Sequence, residues 1–334
     1  MPIPVLSIVV PCYNEQDAIR TTCSALRSVL ESMVACGLVA SSSYILFVDD
    51  GSRDRTWEIV GSLRNESGRE HREVAGIRLA ANAGHQSALL AGMQAAVGCS
   101  DIIITIDADL QDDPSAIPDM VRQCNSGCEV VLGVRRSRAA DSWFKRSTAR
   151  GFYKLMTMMG VRLVEDHADF RALTKSAALR LLDHPERNLF LRGLVTSLSS
   201  RTAIVHYDRA ARVAGESKYP LRKMLAFAWR GITANSTAPL RAIFAVGILS
   251  IFLSIVGVAW AGWGYLSGST VPGWLSTVIP QFLIAGLIML SQAVFGEYLA
   301  RIYIEVKRRP HCFIAEAVGI NLPPTATIGQ VHGL

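Results

Sequence analysis

The sequence predicts an α/β domain on a mostly parallel sheet, followed by basic amphipathic helices and two apolar helices of bilayer length. Three observations carry this. Short apolar, β-branched runs alternate with helical periods between residues 3 and 134. Acidic and amide side chains collect where those runs end, the edge at which a parallel α/β sheet binds ligands. Downstream, no charged residue occurs from Ala242 to Leu266 or from Gly273 to Gly296, and each stretch exceeds the roughly 20 residues that cross a bilayer core.

Taken in order, Ser7 to Val10 reads as the first strand, and Asn14 suits the N-cap of a helix running on from Glu15. Tyr44 to Val48 is a second strand, and a helix from about Thr56 to Leu63 follows it. A strand from Val74 to Leu79, a helix from Ser87 to Val97 and a strand from Ile102 to Thr105 continue the alternation. Val130 to Val134 closes the series. Strand and helix alternating at this pitch argue for a parallel sheet covered by helices on both faces.

The fourth strand is the most telling. It runs out into Asp107-Ala108-Asp109-Leu110-Gln111-Asp112. Two carboxylates one residue apart, then an amide and a further carboxylate, form a hard-oxygen donor set. Such a set suits Mg²⁺ or Mn²⁺, with waters and substrate phosphates completing the shell. The same stretch has a plainer use, because Asp112, Asp113 and Ser115 could cap the next helix. The other strand ends are also polar: Pro11-Cys12-Tyr13-Asn14-Glu15, Asp49-Asp50-Gly51-Ser52 and Asn82-Ala83-Gly84-His85-Gln86. Each alone is an ordinary turn, and only the four together make a specific pattern.

Beyond Arg135 the chain turns helical and basic. Trp143 to Met159 interleaves Phe144, Leu155, Met156 and Met159 with Lys145, Arg146, Arg150 and Lys154. Tyr219 to Leu240 repeats the pattern, and basic amphipathic helices before a membrane span lie most simply in the interface. Arg222, Lys223, Arg230 and Arg241 precede the first apolar stretch; Arg301, Lys307, Arg308 and Arg309 follow the second. The short connector between them is uncharged, so both flanks are expected to be cytoplasmic.

The expected organisation is therefore a cytoplasmic catalytic domain over residues 1–215, with an interfacial helix near 142–159. A juxtamembrane amphipathic helix at 216–241 leads into two transmembrane helices within 242–296, joined by an extracytoplasmic loop at 267–273. A cytoplasmic tail covers 297–334. The N-terminal residues read as a strand rather than a secretory leader, so the seven cysteines are expected in a reducing compartment or in the membrane-proximal body. Cys124 and Cys128 read as small core residues, since no second cysteine or histidine pair lies nearby. The net charge of +6 fits a protein resting on anionic lipid. It does not suggest a nucleic-acid binder, because no basic run is interleaved with exposed aromatics.

The four strand-end motifs in order resemble the inverting GT-A glycosyltransferases of family 2. Together with the C-terminal apolar pair they resemble the polyprenyl-phosphate glycosyltransferases, including the bactoprenol glucosyl, dolichol-phosphate mannosyl and undecaprenyl-phosphate aminoarabinosyl enzymes. Ala168-Asp169-Phe170-Arg171, Pro185 to Phe190, Arg212-x-x-Gly215-Glu216-Ser217-Lys218-Tyr219 and Gly296-Glu297-Tyr298 extend the likeness along nearly the whole chain. The resemblance implies a Rossmann-like GT-A domain acting on a nucleotide sugar and a polyprenyl phosphate at a bacterial inner membrane, as a homo-oligomer. It implies that Pro11, Tyr13, Glu15, Asp50 and Asp107 bind the donor nucleotide, with Asp50 facing the base. It further implies that Asp107, Asp109 and Gln111 hold Mg²⁺ or Mn²⁺, and that Asp169 is the catalytic residue. Arg135, Arg138, Arg146, Arg212, Ser217 and Lys218 would receive the acceptor phosphate.

The chain departs from the glucosyl members around Thr196 to Arg201, where serines replace the usual tryptophan and glycines, and at Gly84-His85-Gln86, where many relatives carry lysine. These differences leave the sugar, and the choice of UDP or GDP, open. A processive polysaccharide synthase is the competing enzyme reading, but no Gln-x-x-Arg-Trp string occurs. A membrane-anchored nucleotide-binding scaffold is the non-enzymatic alternative.

Overall fold

A computed structural model describes residues 3–66, 73–135, 167–184, 191–208, 238–267, 273–307, 310 and 312–322. The chain divides into two compact units, residues 1–153 with 162–219 and 309–334, and residues 154–161 with 220–308. The first unit is built on an eight-stranded sheet among the described residues. Its strands are β1 (Leu6–Cys12), β2 (Tyr44–Asp49), β3 (Val74–Leu79), β4 (Ile102–Thr105), β5 (Val130–Arg135), β6 (His167–Thr174), β7 (Thr202–Tyr207) and β8 (Ile314–Val318). They lie in the order β7-β5-β6-β4-β1-β2-β3-β8. β6 runs antiparallel to β4 and β5, and β8 antiparallel to β3; every other pairing is parallel.

Strands β1 to β5 are buried on both faces, which explains why they read as continuous apolar runs. On one face Leu6, Ile8, Val10, Ile45 and Phe47 pack with helices α1 (Ile19–Ala35), α2 (Thr56–Glu66) and α4 (Ile117–Asn125). On the other, Val9, Leu46, Val48 and Ile103 pack with α3 (His85–Ala96) and α5 (Lys175–Leu182). Helix α3 packs on the sheet through the small residues Ala88, Ala91, Gly92 and Ala95. A Cβ on Gly92 would lie 2.4 Å from Val9 Cγ1 and 2.7 Å from Val48 Cγ2. That close seat sets the height at which the first residue of α3, His85, meets the strand ends.

Three sequence expectations are corrected. Asn14 does not cap a helix: it adopts φ 55° and α1 begins only at Ile19. The amides of Asn14, Glu15 and Gln16 are instead bound by Ser52 Oγ, Thr56 Oγ1 and Asp54 Oδ2, so the first two strand-end loops are stitched together. Val134 does not close the sheet, because β6, β7 and β8 follow. The segment read as a tail contributes β8, whose Glu316 accepts from Trp57 Nε1 at 3.0 Å and Arg78 Nη1 at 3.2 Å. A short helix α6 (Leu191–Leu194) precedes β7.

In the second unit, α7 (Ala238–Leu266) and α8 (Trp274–Lys307) form a long helical pair, the latter continuing well past Gly296. Among the described residues, Ile284–Lys307 is long and apolar enough to cross a membrane. The expected helices near 142–159 and at 216–237 lie outside the described residues.

Candidate active site

The sheet topology brings the predicted residues to one edge. β1, β2, β3, β4, β5 and β7 all end there, and antiparallel β6 begins there with His167 and Asp169. The edge carries a cleft of about 420 Å³ lined by Pro11, Cys12, Tyr13, Glu15, Asp50, Asn82, Gly84, His85, Asp107, Ala108 and Asp109. Pro11, Tyr13, Glu15, Asp50, Asp107 and Asp109 are thus gathered as the strand-end motifs anticipate.

The wall of this cleft around Asp50 is tightly built. Asp50 is buried, and its two carboxylate oxygens accept the amides of Ala83 at 2.7 Å and Gly84 at 3.0 Å. Burial raises its pKa and these two amides counter the rise. Asp50 therefore ties the end of β2 to the loop after β3, a task that its place in the sequence did not disclose. Gly51 makes that approach possible, with φ +67° and a position where a Cβ would lie 2.9 Å from Ala81 C and Asn82 N. Gly51→Ala is expected to cost about 1–2 kcal/mol from the left-handed backbone alone, and to raise the donor KM several-fold. Thermal denaturation and donor titration would check both.

The acidic centre lies between β4 and β6. Asp107 is pushed up to about 6 by burial and by the carboxylates of Asp169, Asp112 and Asp109, against the lowering effect of His85. His85 Nε2 stands 3.4 Å from Asp169 Oδ2 and 3.6 Å from Asp107 Oδ1. Burial alone would lower the imidazole pKa, but the hydrogen bond to Asp169 and the two carboxylate charges outweigh it, and the net shift is upward. Asp169 is in turn held from behind by Arg171, whose guanidinium is fully buried and bonds Asp169 Oδ1. The sequence places His85 in a polar strand-end motif and marks it as a departure from related chains; its contact with Asp107 and Asp169 depends on α3's seat on the sheet.

Gln111 is placed differently from the expected ligand. It does not line the cleft; its Nε2 donates to Asp109 Oδ2 at 2.9 Å and its backbone amide to Asp109 Oδ1 at 3.2 Å. Asp113 does cap, accepting from Ser115 N at 2.9 Å. Asp112 turns the other way and meets Arg135 and Tyr207. Its Oδ2 is buried with no hydrogen-bond partner among the described residues. Arg138, Arg146, Arg212, Ser217 and Lys218 lie outside the described residues.

Among the described residues no three His, Cys, Asp or Glu side chains form a closed metal cage. Asp107 and Asp109, two carboxylates that both line the cleft, match the chemistry of an open Mg²⁺-type site. Such sites take one or two carboxylates and leave the remaining positions to water and phosphate.

A Rossmann-like, mostly parallel sheet with an acidic cleft at its carboxyl edge defines an α/β protein whose ligand site lies where such sheets bind ligands. The family model for glycosyl transferase family 2 matches residues 7–182, and the chain belongs to that family of enzymes. It is 48% identical over 309 residues to the uncharacterized glycosyltransferase YkoT of Bacillus subtilis, covering 92% of this chain and 90% of that one. It is 35% identical over 314 residues to the SfII prophage-derived bactoprenol glucosyl transferase of Shigella flexneri, covering 93% and 98%. The prophage bactoprenol glucosyl transferase homolog of Escherichia coli is 34% identical over 311 residues, covering 92% and 98%.

Proposed function

We propose that this enzyme transfers a single sugar, with inversion, from a UDP- or GDP-sugar to the phosphate of a polyprenyl phosphate such as undecaprenyl phosphate. The products are a polyprenyl-phospho-sugar and a nucleoside diphosphate. The observation that carries this reading is the convergence of His85, Asp107 and Asp109 on one cleft, with Asp169 3.4 Å from His85 Nε2. Relatives bearing a bactoprenol glucosyl transferase name match nearly end to end, which supports the lipid acceptor.

Pro11, Tyr13, Glu15 and Asp50 bind the nucleotide in this reading, and Asp107 and Asp109 face the donor diphosphate. Gln111 keeps Asp109 oriented. A bound Mg²⁺ or Mn²⁺ supplies charge stabilisation to the departing diphosphate. His85 lines the same cleft and also steadies Asp169. The acceptor is a phosphate monoester with a second pKa near 6, hence largely dianionic at neutral pH. Such a nucleophile needs little deprotonation. Asp169 is held in place by buried Arg171 and by His85. It orients acceptor or sugar hydroxyls more than it removes a proton. Arg135, with Arg138, Arg146, Arg212, Ser217 and Lys218, receives the acceptor phosphate, and arginine suits this through its planar fork of donors.

We further assign α7 and α8 to the bilayer, with their charged outer ends in the cytoplasm, and the whole chain to a bacterial inner membrane as a homo-oligomer. Phe244, Trp260, Trp263, Met289 and Leu299 are strongly exposed along these helices, Trp260 at 77%. An apolar surface of this size calls for lipid or protein cover.

A donor screen tests the proposal. Protein in detergent is mixed with undecaprenyl phosphate, Mg²⁺ or Mn²⁺ and a panel of UDP- and GDP-sugars, and nucleoside diphosphate release is followed with the glycolipid mass. One sugar should appear on the lipid. Metal-dependent nucleotide binding with no transfer from any donor would instead favour the scaffold reading.

A further inference from the structure

The strongest unassigned feature is a buried cluster at the ends of β5 and β7. Arg135 and Tyr207 are register partners, the last residues of two parallel strands. Asp112, 1% exposed, reaches them from the loop that leaves the acidic centre. One carboxylate oxygen, Asp112 Oδ1, accepts Arg135 Nη2 at 2.7 Å, Arg135 Nε at 3.1 Å and the Tyr207 hydroxyl at 2.5 Å. The Arg135 Nε–H is also shared with Tyr207 Oη at 3.3 Å. A guanidinium has five N–H donors. This arrangement engages the Nε–H and one on Nη2, and leaves both Nη1 hydrogens and the second Nη2 hydrogen unpartnered among the described residues. Arg135 stays about a quarter exposed while its two partners are buried.

We propose that Asp112 and Tyr207 are positioning residues that lock Arg135 in one rotamer, with its unengaged edge turned to the acceptor phosphate. The proposal rests on the reading of Arg135 as an acceptor-phosphate group and adds what holds it there. An arginine left to itself loses considerable rotamer freedom when it binds an anion; one already fixed by a buried carboxylate and phenol has lost it on folding. The device also explains why Asp112 is a carboxylate although it lines no part of the cleft. Its contacts run to β5 and β7, away from Asp109. Because the lock acts on one substrate only, its loss should separate acceptor binding from donor binding.

The experiment is steady-state kinetics of the full chain in detergent, varying undecaprenyl phosphate and the nucleotide sugar independently, for Arg135→Lys, Tyr207→Phe, Asp112→Asn and Arg135→Lys/Tyr207→Phe. Tyr207→Phe deletes one hydroxyl and keeps the ring that packs against Phe170. It should raise the acceptor KM about fivefold, the worth of one hydrogen bond, with the donor KM within about twofold. Asp112→Asn should move the acceptor KM further in the same direction. In the double variant Tyr207→Phe should add nothing to Arg135→Lys, since both disrupt one unit. If Arg135→Lys leaves the acceptor KM unchanged, the reading of Arg135 itself fails. If Arg135→Lys raises it while Tyr207→Phe does not, or acts additively, the positioning proposal is overturned and the acceptor reading stands. Equal rises in both KM values for Tyr207→Phe would mark a merely structural contact and overturn it too.

Discussion

Asp109→Ala is expected to lower kcat roughly 10³-fold, about 4 kcal/mol of transition-state stabilisation. Asp109 is one of the two carboxylates of the Asp107–Asp109 pair that line the cleft, and the proposed function assigns both to the donor diphosphate. Its loss removes a negative donor that alanine cannot replace, so the departing diphosphate keeps its charge without compensation. The change should also weaken divalent-ion-dependent nucleotide binding, read by calorimetry with and without Mn²⁺. Asp113→Ala is the matched control. That carboxylate caps the turn at Ser115 outside the cleft, and its removal should cost about 1 kcal/mol of stability with the rate retained. The pH dependence follows from Asp107. Burial and neighbouring carboxylates raise its pKa to about 6, so the metal-free cleft takes up a proton as pH falls through 6. A proton there competes with a cation. Divalent-ion affinity should therefore decline below pH 6 by up to about tenfold per pH unit, and stay level above about pH 7.

The second large effect is at Arg171. It pairs across the sheet with Thr105 of β4 and Leu132 of β5, and is 1% exposed. Arg171→Met should destabilise the protein by about 3–5 kcal/mol, because the Asp169 carboxylate loses its buried counter-charge. At about 2–4 °C per kcal/mol for a domain of this size, the Tm drop is on the order of 10 °C or more. Asp169→Leu in the same background should recover much of the lost stability with activity still absent, since no buried charge then stands alone. Asp169→Asn alone tests the chemistry. A pH–rate profile of unchanged shape with a lower plateau is expected of a positioning carboxylate. Loss of a basic limb from the profile would show instead that Asp169 takes the proton.

Much of the fold was legible because parallel strands buried on both faces leave continuous apolar runs, as in Ile45 to Val48 and Ile102 to Ile104, bounded by polar turns. β6 and β7 were harder to read. β6 carries Asp169 and Arg171 among its apolar residues, and β7 alternates exposed and buried positions at a sheet edge. β8 was missed because its few residues, Ile-Ala-Glu-Ala-Val, have weak strand character without β3 beside them. Asn14 misled for a related reason. Its side chain suits an N-cap, but Ser52, Asp54 and Thr56 compete for the adjacent amides and win through a contact 38 or more residues away.

The sequence by itself determined the alternating α/β order, the carboxylates at the end of β4 and the charge-free stretches that became α7 and α8. These are local properties of composition and period, carried by neighbouring residues. Only the tertiary structure decided which carboxylates face the cleft and which are spent on holding the protein together. Asp107 and Asp109 line the cleft, Asp50 lines it too while securing a loop through two amides, and Asp112 anchors Arg135. It also decided that His85 stands between Asp107 and Asp169, because a helix with alanines and a glycine against Val9 and Val48 can settle that close. Hydrogen bonds and charge pairs between residues far apart in the chain depend on distances that only packing sets, and a carboxylate's role depends on the partner it meets.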